Sequence, residues 1–297
     1  MPSKALSKQV LIVNPRSGDQ RPSADELVEE ARTLGVEVHV LREGEDANEV
    51  AGRAAAEGAE ALGMAGGDGS LAAVATVALE RDVPFICVPF GTRNHFARDI
   101  GLDGDDPISA LAAFHGQERR IDVGVVSEHL FLNNVSLGLY ASFVHDPKRK
   151  TRNRLVAFLR MVPAALGRNR RPLKLSFEIE GRREEYSALV VLVANNAYRL
   201  QSLADLGERA SLEEGLLYAY VVEGVSRGAL LALLARAAFG GVTRAEGLVE
   251  RSAKSFRIEG SRPSLHAAID GEPVVLEAPL EFEIRPRALR VLLPAAS

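Results

Sequence analysis

The chain has 297 residues, 46% of them hydrophobic, more than one small core usually holds, so two domains are expected. Its 36 Lys and Arg against 40 Asp and Glu leave a net charge of −4, which gives no general attraction to nucleic acid and requires any basic surface to be local. The single cysteine, Cys87, excludes an intrachain disulfide; no apolar run reaches the roughly 18 residues that span a bilayer, and the start MPSKALSK lacks the apolar region of a secretory signal, so a soluble cytoplasmic protein is expected.

Gln9 to Val13 reads as a strand closed by Asn14-Pro15-Arg16-Ser17-Gly18. Ser23 with Glu26 then forms a capping box for a helix that buries Leu27, Val28, Ala31 and Leu34. A strand over Val36 to Leu41 follows, and Asp46 with Glu49 starts a second helix with Val50, Ala51, Ala54 and Ala55 as its stripe. Leu62 to Ala65 is a short strand ending at Gly66-Gly67-Asp68-Gly69, after which Leu71, Val74 and Ala78 mark one helix face. Phe85 to Val88 is the next strand. Pro89, Gly91, Thr92 and Asn94 break it before the helix face of Phe96, Ala97 and Ile100. The alternation βαβαβαβ predicts a doubly wound parallel sheet with helices on both faces, and such sheets bind ligands outside the carboxyl ends of their strands.

After a helix from about Pro107 to Phe114 the pattern changes. Arg120 to Val126 and Leu130 to Leu137 are separated only by Ser127-Glu128-His129, which is hairpin spacing. A boundary near residue 125 therefore divides a first domain, 1–125, from a mainly antiparallel β-sandwich-like domain, 126–297, whose last strand is a candidate to return to the first domain. Further strands are expected over Leu173 to Glu180, Ser187 to Ala194, Leu216 to Val222, Ser255 to Glu259, Ser264 to Ile269, Leu280 to Pro286 and Arg290 to Leu293. Helices are expected over Leu155 to Leu166 and Arg227 to Phe239.

Three turns share the carboxyl edge of the first sheet: NPRSG, GGDGS and GTRN. Glycines let a backbone turn tightly and bring its N–H groups close to an oxyanion, and a helix that starts there adds its positive dipole end. These are candidate phosphate cradles. GGDGS followed about twenty residues on by P-x-G-T-x-N-x-F-A-R resembles the diacylglycerol kinase catalytic-domain family of lipid kinases, which includes bacterial soluble enzymes and the sphingosine and ceramide kinases. The GGDG turn is also similar, more distantly, to those of NAD kinase and phosphofructokinase. The resemblance covers nearly the whole chain and implies a nucleotide-binding α/β domain, a lipid-substrate domain, and an active site in the cleft between them.

Residue by residue, the resemblance implies that Asn14, Arg16, Ser17, Gly66, Gly67, Asp68, Gly69, Ser70, Thr92 and Asn94 hold the nucleotide, ATP. Asp270-Gly271-Glu272 matches the family's D-G-E, which implies a carboxylate base that takes the proton of the lipid hydroxyl, Glu272 first and Asp270 second. Ser211, Glu214 and Leu216 match a structural Mg²⁺ segment, and Asp68 and Asp122 match acidic positions that organise Mg²⁺ near the nucleotide. Phe131, Asn133 and Gly138 fit the family's F-x-N then G pattern. Four positions depart from it: His95 stands where Asp is usual, Leu41 where Thr is frequent, Glu214 where Asp is usual, and the Gly-rich run is missing between Tyr198 and Glu208.

Two basic clusters, Lys148, Arg149, Lys150, Arg152 and Arg154, then Arg168, Arg170 and Arg171, flank an apolar helix. Cationic residues near an anionic leaflet contribute about 1 kcal/mol each, so this face is expected either to give peripheral membrane association or to be a solvated charge run beside a core helix. The leading expectation is an ATP- and Mg²⁺-dependent lipid kinase acting on a lipid at a membrane surface, with no nucleic-acid partner and with a homodimer among the assemblies it allows. A non-catalytic nucleotide- or lipid-binding regulator is the alternative suggested by His95, Leu41 and Glu214. A NAD-kinase-like enzyme is disfavoured, because Asn133-Asn134 lacks the carboxylate that would hold a ribose.

Overall fold

The computed structural model describes residues 8–17, 22–92, 94–138, 172–198, 209, 211–223 and 248–295. The chain divides into two compact units, Met1–Val123 with Pro286–Ser297 and Gly124–Arg285. The predicted helices at Leu155 to Leu166 and Arg227 to Phe239, and both basic clusters from Lys148 to Arg171, lie outside the described residues.

In the first unit β1 (Gln9–Val13), α1 (Ala24–Thr33), β2 (Glu37–Val40), α2 (Ala47–Ala56), β3 (Ala61–Gly66), α3 (Asp68–Glu80) and β4 (Phe85–Pro89) alternate. Their strands pair in parallel in the order β4-β3-β1-β2. Leu11 and Val13 pack with Leu27, Val28 and Ala31 of α1. Val10, Ile12, Met64 and Cys87, on the other side of the same strands, are equally buried. Burial on both faces explains why these strands read as continuous apolar runs. Burial, and then the Asp68 charge, pushes the Cys87 thiol well up, so this residue packs rather than reacts.

Side-chain caps start both predicted helices. Ser23 Oγ accepts the Glu26 N–H at 3.2 Å while Glu26 accepts the Ser23 N–H at 2.7 Å, and Asp46 Oδ1 accepts from Asn48 and Glu49; each cap stabilises its helix by about 1 kcal/mol. After α4 (His95–Asp99) the helix expected from Pro107 to Phe114 splits into α5 (Pro107–Ala110) and a 3-10 turn, Leu111–His115. Its end is tightened by the Gly116 N–H bonding the Ala113 carbonyl.

β5 (Gln117–Val126) leads out of this unit, and β15 (Leu280–Leu293) leads back into it. Two separate strands are predicted where β15 runs unbroken. Its irregular point is Arg287, at φ 50°, whose N–H bonds the buried Asp122 carboxylate at 2.8 Å. Near the end, Val291 pairs in parallel with Phe85. Arg290 donates to Glu118 at 2.7 Å and to the Asp82 carbonyl at 2.6 Å.

The Arg290 hydrogen bond holds the Glu118 carboxyl below its ordinary value of 4.5. A lowered carboxyl stabilises the fold in full above the ordinary value, and this is lost as pH falls through the folded one. Glu118→Gln should therefore melt below the parent at pH 7, and the two melting temperatures should converge as the pH falls through the lowered value. The gap should be modest, because the Glu118 side chain is 34% exposed. A gap that persists unchanged at acid pH would exclude this assignment.

The second unit holds β6 (His129–Phe131), β7 (Asn134–Gly138), β8 (Leu173–Ile179), β9 (Arg182–Asn195), β10 (Leu217–Glu223), β11 (Leu248–Ala253), β12 (Ser255–Gly260), β13 (Ser264–Ile269) and β14 (Glu272–Glu277). Strands pair antiparallel in the order β14-β13-β7-β9-β8-β12-β15, and β10 lies between β9 and β11. Phe131, Phe177, Phe256 and Phe282 centre the core, with the Phe177 and Tyr186 rings edge to face at 5.0 Å.

β11 and β14 are strands not expected from the sequence, and two expected strands differ in extent. β9 begins at Arg182 rather than Ser187 because its charged opening, Arg182 to Glu185, still pairs with β8. Ion pairs from Arg183 to Glu185 and Glu259, and from Arg251 to Glu184, cover that part. The single strand expected over Leu130 to Leu137 is cut at Leu132 and Asn133, whose N–H groups turn to the Asp270 carboxylate instead of a neighbouring strand.

Candidate active site

In the first unit the three turns at the carboxyl ends of β1, β3 and β4 come together. Asn14 closes the first: its N–H bonds the Ala65 carbonyl at 2.9 Å, and its side-chain oxygen accepts the Arg16 N–H at 3.1 Å. Its amide Nδ2 reaches Ser70 Oγ at 3.4 Å. Asn14 thereby joins NPRSG to GGDGS. Ser17 bonds back to the Asn14 carbonyl, while the Arg16 side chain is exposed.

Gly67 caps the 13-residue α3 without any side-chain bond. A Cβ built on Gly91 would lie 2.5 Å from Gly67 Cα, so the second and third turns touch backbone to backbone and Gly91 has no room to grow, whereas a Cβ on Gly67 would meet only Gly91 Cα, at 3.9 Å. Gly66 is similarly confined, by Met64 and Ser70. Asp68 Oδ1 accepts the Phe96 N–H at 3.2 Å, which ties α3 to α4. Gly69 and Ser70 are half-buried and Thr92 is exposed.

Asn94 sits in the left-handed region at φ 50° and is 4% exposed. Its side-chain oxygen accepts the Gly91 N–H at 2.9 Å, and its Nδ2 donates to the Gly91 and Gly104 carbonyls at 3.0 and 2.6 Å. The amide is committed to the loop. Asn94 therefore shapes the turn that presents Thr92, and left-handed φ without strain is what Asn supplies. His95 begins α4 directly after it and is half-buried. Leu41 is buried.

In the second unit Asp270 and Gly271, at φ 48° and 87°, form the tight turn between β13 and β14. The Asp270 carboxylate accepts three backbone N–H groups: Leu132 at 2.7 Å on Oδ2, Asn133 at 2.7 Å and Asn134 at 3.0 Å on Oδ1. Glu272, two residues on, is exposed. The two carboxylates of the D-G-E turn thus differ in kind, one locked into backbone and one facing solvent.

A buried polar network that sequence reasoning missed lies behind this turn. Arg209 is only 6% exposed and donates to the Leu132 carbonyl at 2.6 Å, the Asn195 carbonyl at 3.0 Å and Asn133 Oδ1 at 3.2 Å. Asn195 Nδ2 reaches the Leu132 carbonyl and Asn196 Nδ2 bonds Asn195. Asn134 Nδ2 donates to the Tyr198 hydroxyl at 2.8 Å, and the Tyr198 N–H bonds the Tyr220 hydroxyl at 3.1 Å. Burial above all pushes the Tyr220 hydroxyl up, so it stays a neutral partner. The one available signal was Asn195-Asn196 closing an apolar strand, where paired amides suit a polar turn rather than a core.

The donor set for Mg²⁺ is sparse. Among the described residues no three His, Cys, Asp or Glu side chains converge on one point. Asp68 and Asp122 are each fixed by a backbone N–H on Oδ1. One or two oriented carboxylates suit an ion that arrives with phosphate oxygens and water rather than one caged by protein. At the Ser211 to Leu216 turn, Ser211 Oγ accepts the Glu213 N–H, the Leu216 carbonyl accepts the Asn196 N–H at 3.0 Å, and Asn196 Oδ1 accepts the Glu214 N–H. The exposed Glu214 carboxylate bonds the Tyr218 hydroxyl, whose upward shift comes first from burial and then from that bond.

Residues 8–126 match the diacylglycerol kinase catalytic domain, and residues 138–293 match the YegS C-terminal NAD kinase beta sandwich-like domain. A Pseudomonas aeruginosa protein named "Probable lipid kinase YegS-like" is 32% identical over 88% of this chain and 85% of its own length. The diacylglycerol kinase of Mycobacterium tuberculosis is 26% identical over 97% of this chain and 96% of its own. A crystal structure of a diacylglycerol kinase from Bacillus anthracis, 17% identical, superimposes with a TM-score of 0.72 over 98% of both chains. The chain belongs to the diacylglycerol kinase family of lipid kinases.

Proposed function

We propose that the chain transfers the γ-phosphoryl group of ATP to a hydroxyl of diacylglycerol or a similar lipid, working at a membrane surface. The observation that carries this reading is the backbone contact of Gly67 with Gly91 beside Asn14 and Ser70. Three turns meeting at the end of a parallel sheet, one of them opening a long helix, form the polar, side-chain-poor surface that a polyphosphate needs. Asn14, Arg16, Ser17, the Gly66 to Ser70 loop and Thr92 bind the phosphates, and Asn94 holds the loop behind Thr92. Asp68 and Asp122 are the carboxylates for Mg²⁺, which, when bound with the nucleotide, neutralises charge on the transferring group.

Phosphoryl transfer depends mostly on positioning and electrostatics, with one group to take the proton of the attacking hydroxyl. Glu272 takes that proton, because its carboxylate is exposed whereas both oxygens of Asp270 hold backbone. Asp270 sets the turn that aims it. Glu214 with Ser211 and Leu216 remains the second cation position proposed, as part of the turn before β10.

Gly91→Ala should drive the second and third turns apart. Overpacking of this kind costs about 1–3 kcal/mol, so ATP should bind about tenfold more weakly or worse by calorimetric titration. Unchanged affinity would remove the Gly67 and Gly91 contact from the nucleotide site. The function itself is tested by following labelled γ-phosphate from ATP into a mixed-micelle panel of diacylglycerol, monoacylglycerol, phosphatidylglycerol, sphingosine and ceramide with Mg²⁺. A Mg²⁺-dependent lipid phosphate is the expected result. ATP binding without any lipid product, or NADP formed from NAD, would overturn it.

A further inference from the structure

We infer that Arg209 is a positioning residue for the catalytic turn, acting on Asp270 through one peptide group. The inference rests on the reading that Asp270-Gly271-Glu272 carries the proton acceptor. Every atom in the argument lies in the second unit.

The Leu132–Asn133 peptide is the link. Its N–H donates to Asp270 Oδ1 at 2.7 Å, and its carbonyl oxygen accepts from the Arg209 guanidinium at 2.6 Å. The anion sits at the positive end of the peptide dipole and the cation at its negative end. Charge-assisted bonds at both ends polarise the same group, so each strengthens the other. The next peptide repeats the pattern with a neutral donor at its carbonyl end: the Asn134 N–H bonds Asp270 at 3.0 Å and the Asn133 carbonyl accepts the Asn195 N–H at 3.1 Å.

A guanidinium that is 6% exposed is costly to bury unless its donors are satisfied. Here its planar fork meets the Leu132 carbonyl and the Asn133 side-chain oxygen at the cut between β6 and β7, and the Asn195 carbonyl at the end of β9. A lysine, with a point charge in place of the fork, can serve only part of that set. The cut strand, the buried cation and the left-handed Asp270 form one assembly, and its exposed product is the direction in which Glu272 leaves the turn.

The test compares Arg209→Lys, Arg209→Met and Glu272→Gln in the full chain, with kcat, KM for ATP and the ¹⁵N–¹H signal of Asn133 as readouts. Arg209→Lys is expected to lower kcat about tenfold, the rate equivalent of one weakened charged hydrogen bond. KM for ATP should stay unchanged and the Asn133 amide signal should move upfield. Arg209→Met should lose more kcat with the same unchanged KM; if it does not accumulate folded, Arg209→Lys decides. An unchanged kcat and Asn133 signal in Arg209→Lys, with Glu272→Gln inactive, would overturn the inference while leaving the turn catalytic. Full activity in Glu272→Gln would instead overturn the reading of the turn on which the inference rests.

Discussion

Glu272→Gln is expected to reduce lipid phosphorylation by about 10²- to 10⁴-fold, the range for removing a positioned proton acceptor. The substitution keeps size and hydrogen-bonding reach and removes only the basic carboxylate. Glu272 is exposed, and it pairs with Ile269 through backbone at the start of β14, so the fold should tolerate the change. Melting temperature and ATP affinity should therefore match the parent while initial rates on the preferred lipid collapse. A variant with more than a tenth of parental activity would transfer the proton-accepting role elsewhere.

The largest stability effect is expected at the neighbouring carboxylate. Asp270→Ala would leave the N–H groups of Leu132, Asn133 and Asn134 without the acceptor they meet at 2.7, 2.7 and 3.0 Å. Hydrogen bonds to a charged group contribute about 1.5–3 kcal/mol each, though not additively. Alanine also tolerates φ 48° poorly, at about 1 kcal/mol. A loss of about 3 kcal/mol or more is expected, read from the urea midpoint at constant m-value. Asp270→Asn, which keeps one acceptor oxygen and accepts the left-handed backbone, should lose less. Equal stability of Asp270→Ala and the parent would mean that these bonds do not hold the turn.

The two effects separate the roles of a D-G-E turn that reads, in sequence, as two equivalent carboxylates. Local chemistry carries most of what was legible. Ser23 with Glu26 and Asp46 with Glu49 announce helix starts because a cap and its partner lie within one turn of each other. Continuous apolar runs at Gln9–Val13 and Phe85–Pro89 betray strands buried on both faces. The glycine turns were legible because few other residues permit such approach, although only the fold shows that Gly67 and Gly91 are each other's neighbour.

What was hidden depends on distant partners. Leu132 and Asn133 continue an apolar strand pattern, and nothing within several residues indicates that a carboxylate 138 residues away interrupts it. Arg209 has no local signature, because its acceptors, two backbone carbonyls and the Asn133 side chain, lie 14, 77 and 76 residues away. Asn94 resembles a ligand contact by its place in a polar motif, yet its amide is spent on its own loop and on Gly104. Arg182 to Glu185 looks like a solvated run because the segment is covered by ion pairs to Glu259 and Arg251 on other strands rather than by an apolar face.

The route of the chain has a consequence for how this protein is made. Residues up to Val123 and those from Pro286 belong to one unit, with the whole second unit inserted between them. Val291 beside Phe85, and Arg290 on Glu118 and on the Asp82 carbonyl, come from a stretch that is synthesised only after the whole second unit. The first unit is thus begun before the second and completed only after it. While it waits, β4 keeps a strand edge without its eventual neighbour, and unpaired edges invite association with other chains. Nascent chains arrested before residues 286–295 emerge should accordingly be more protease-sensitive and chaperone-dependent than chains in which that stretch has emerged.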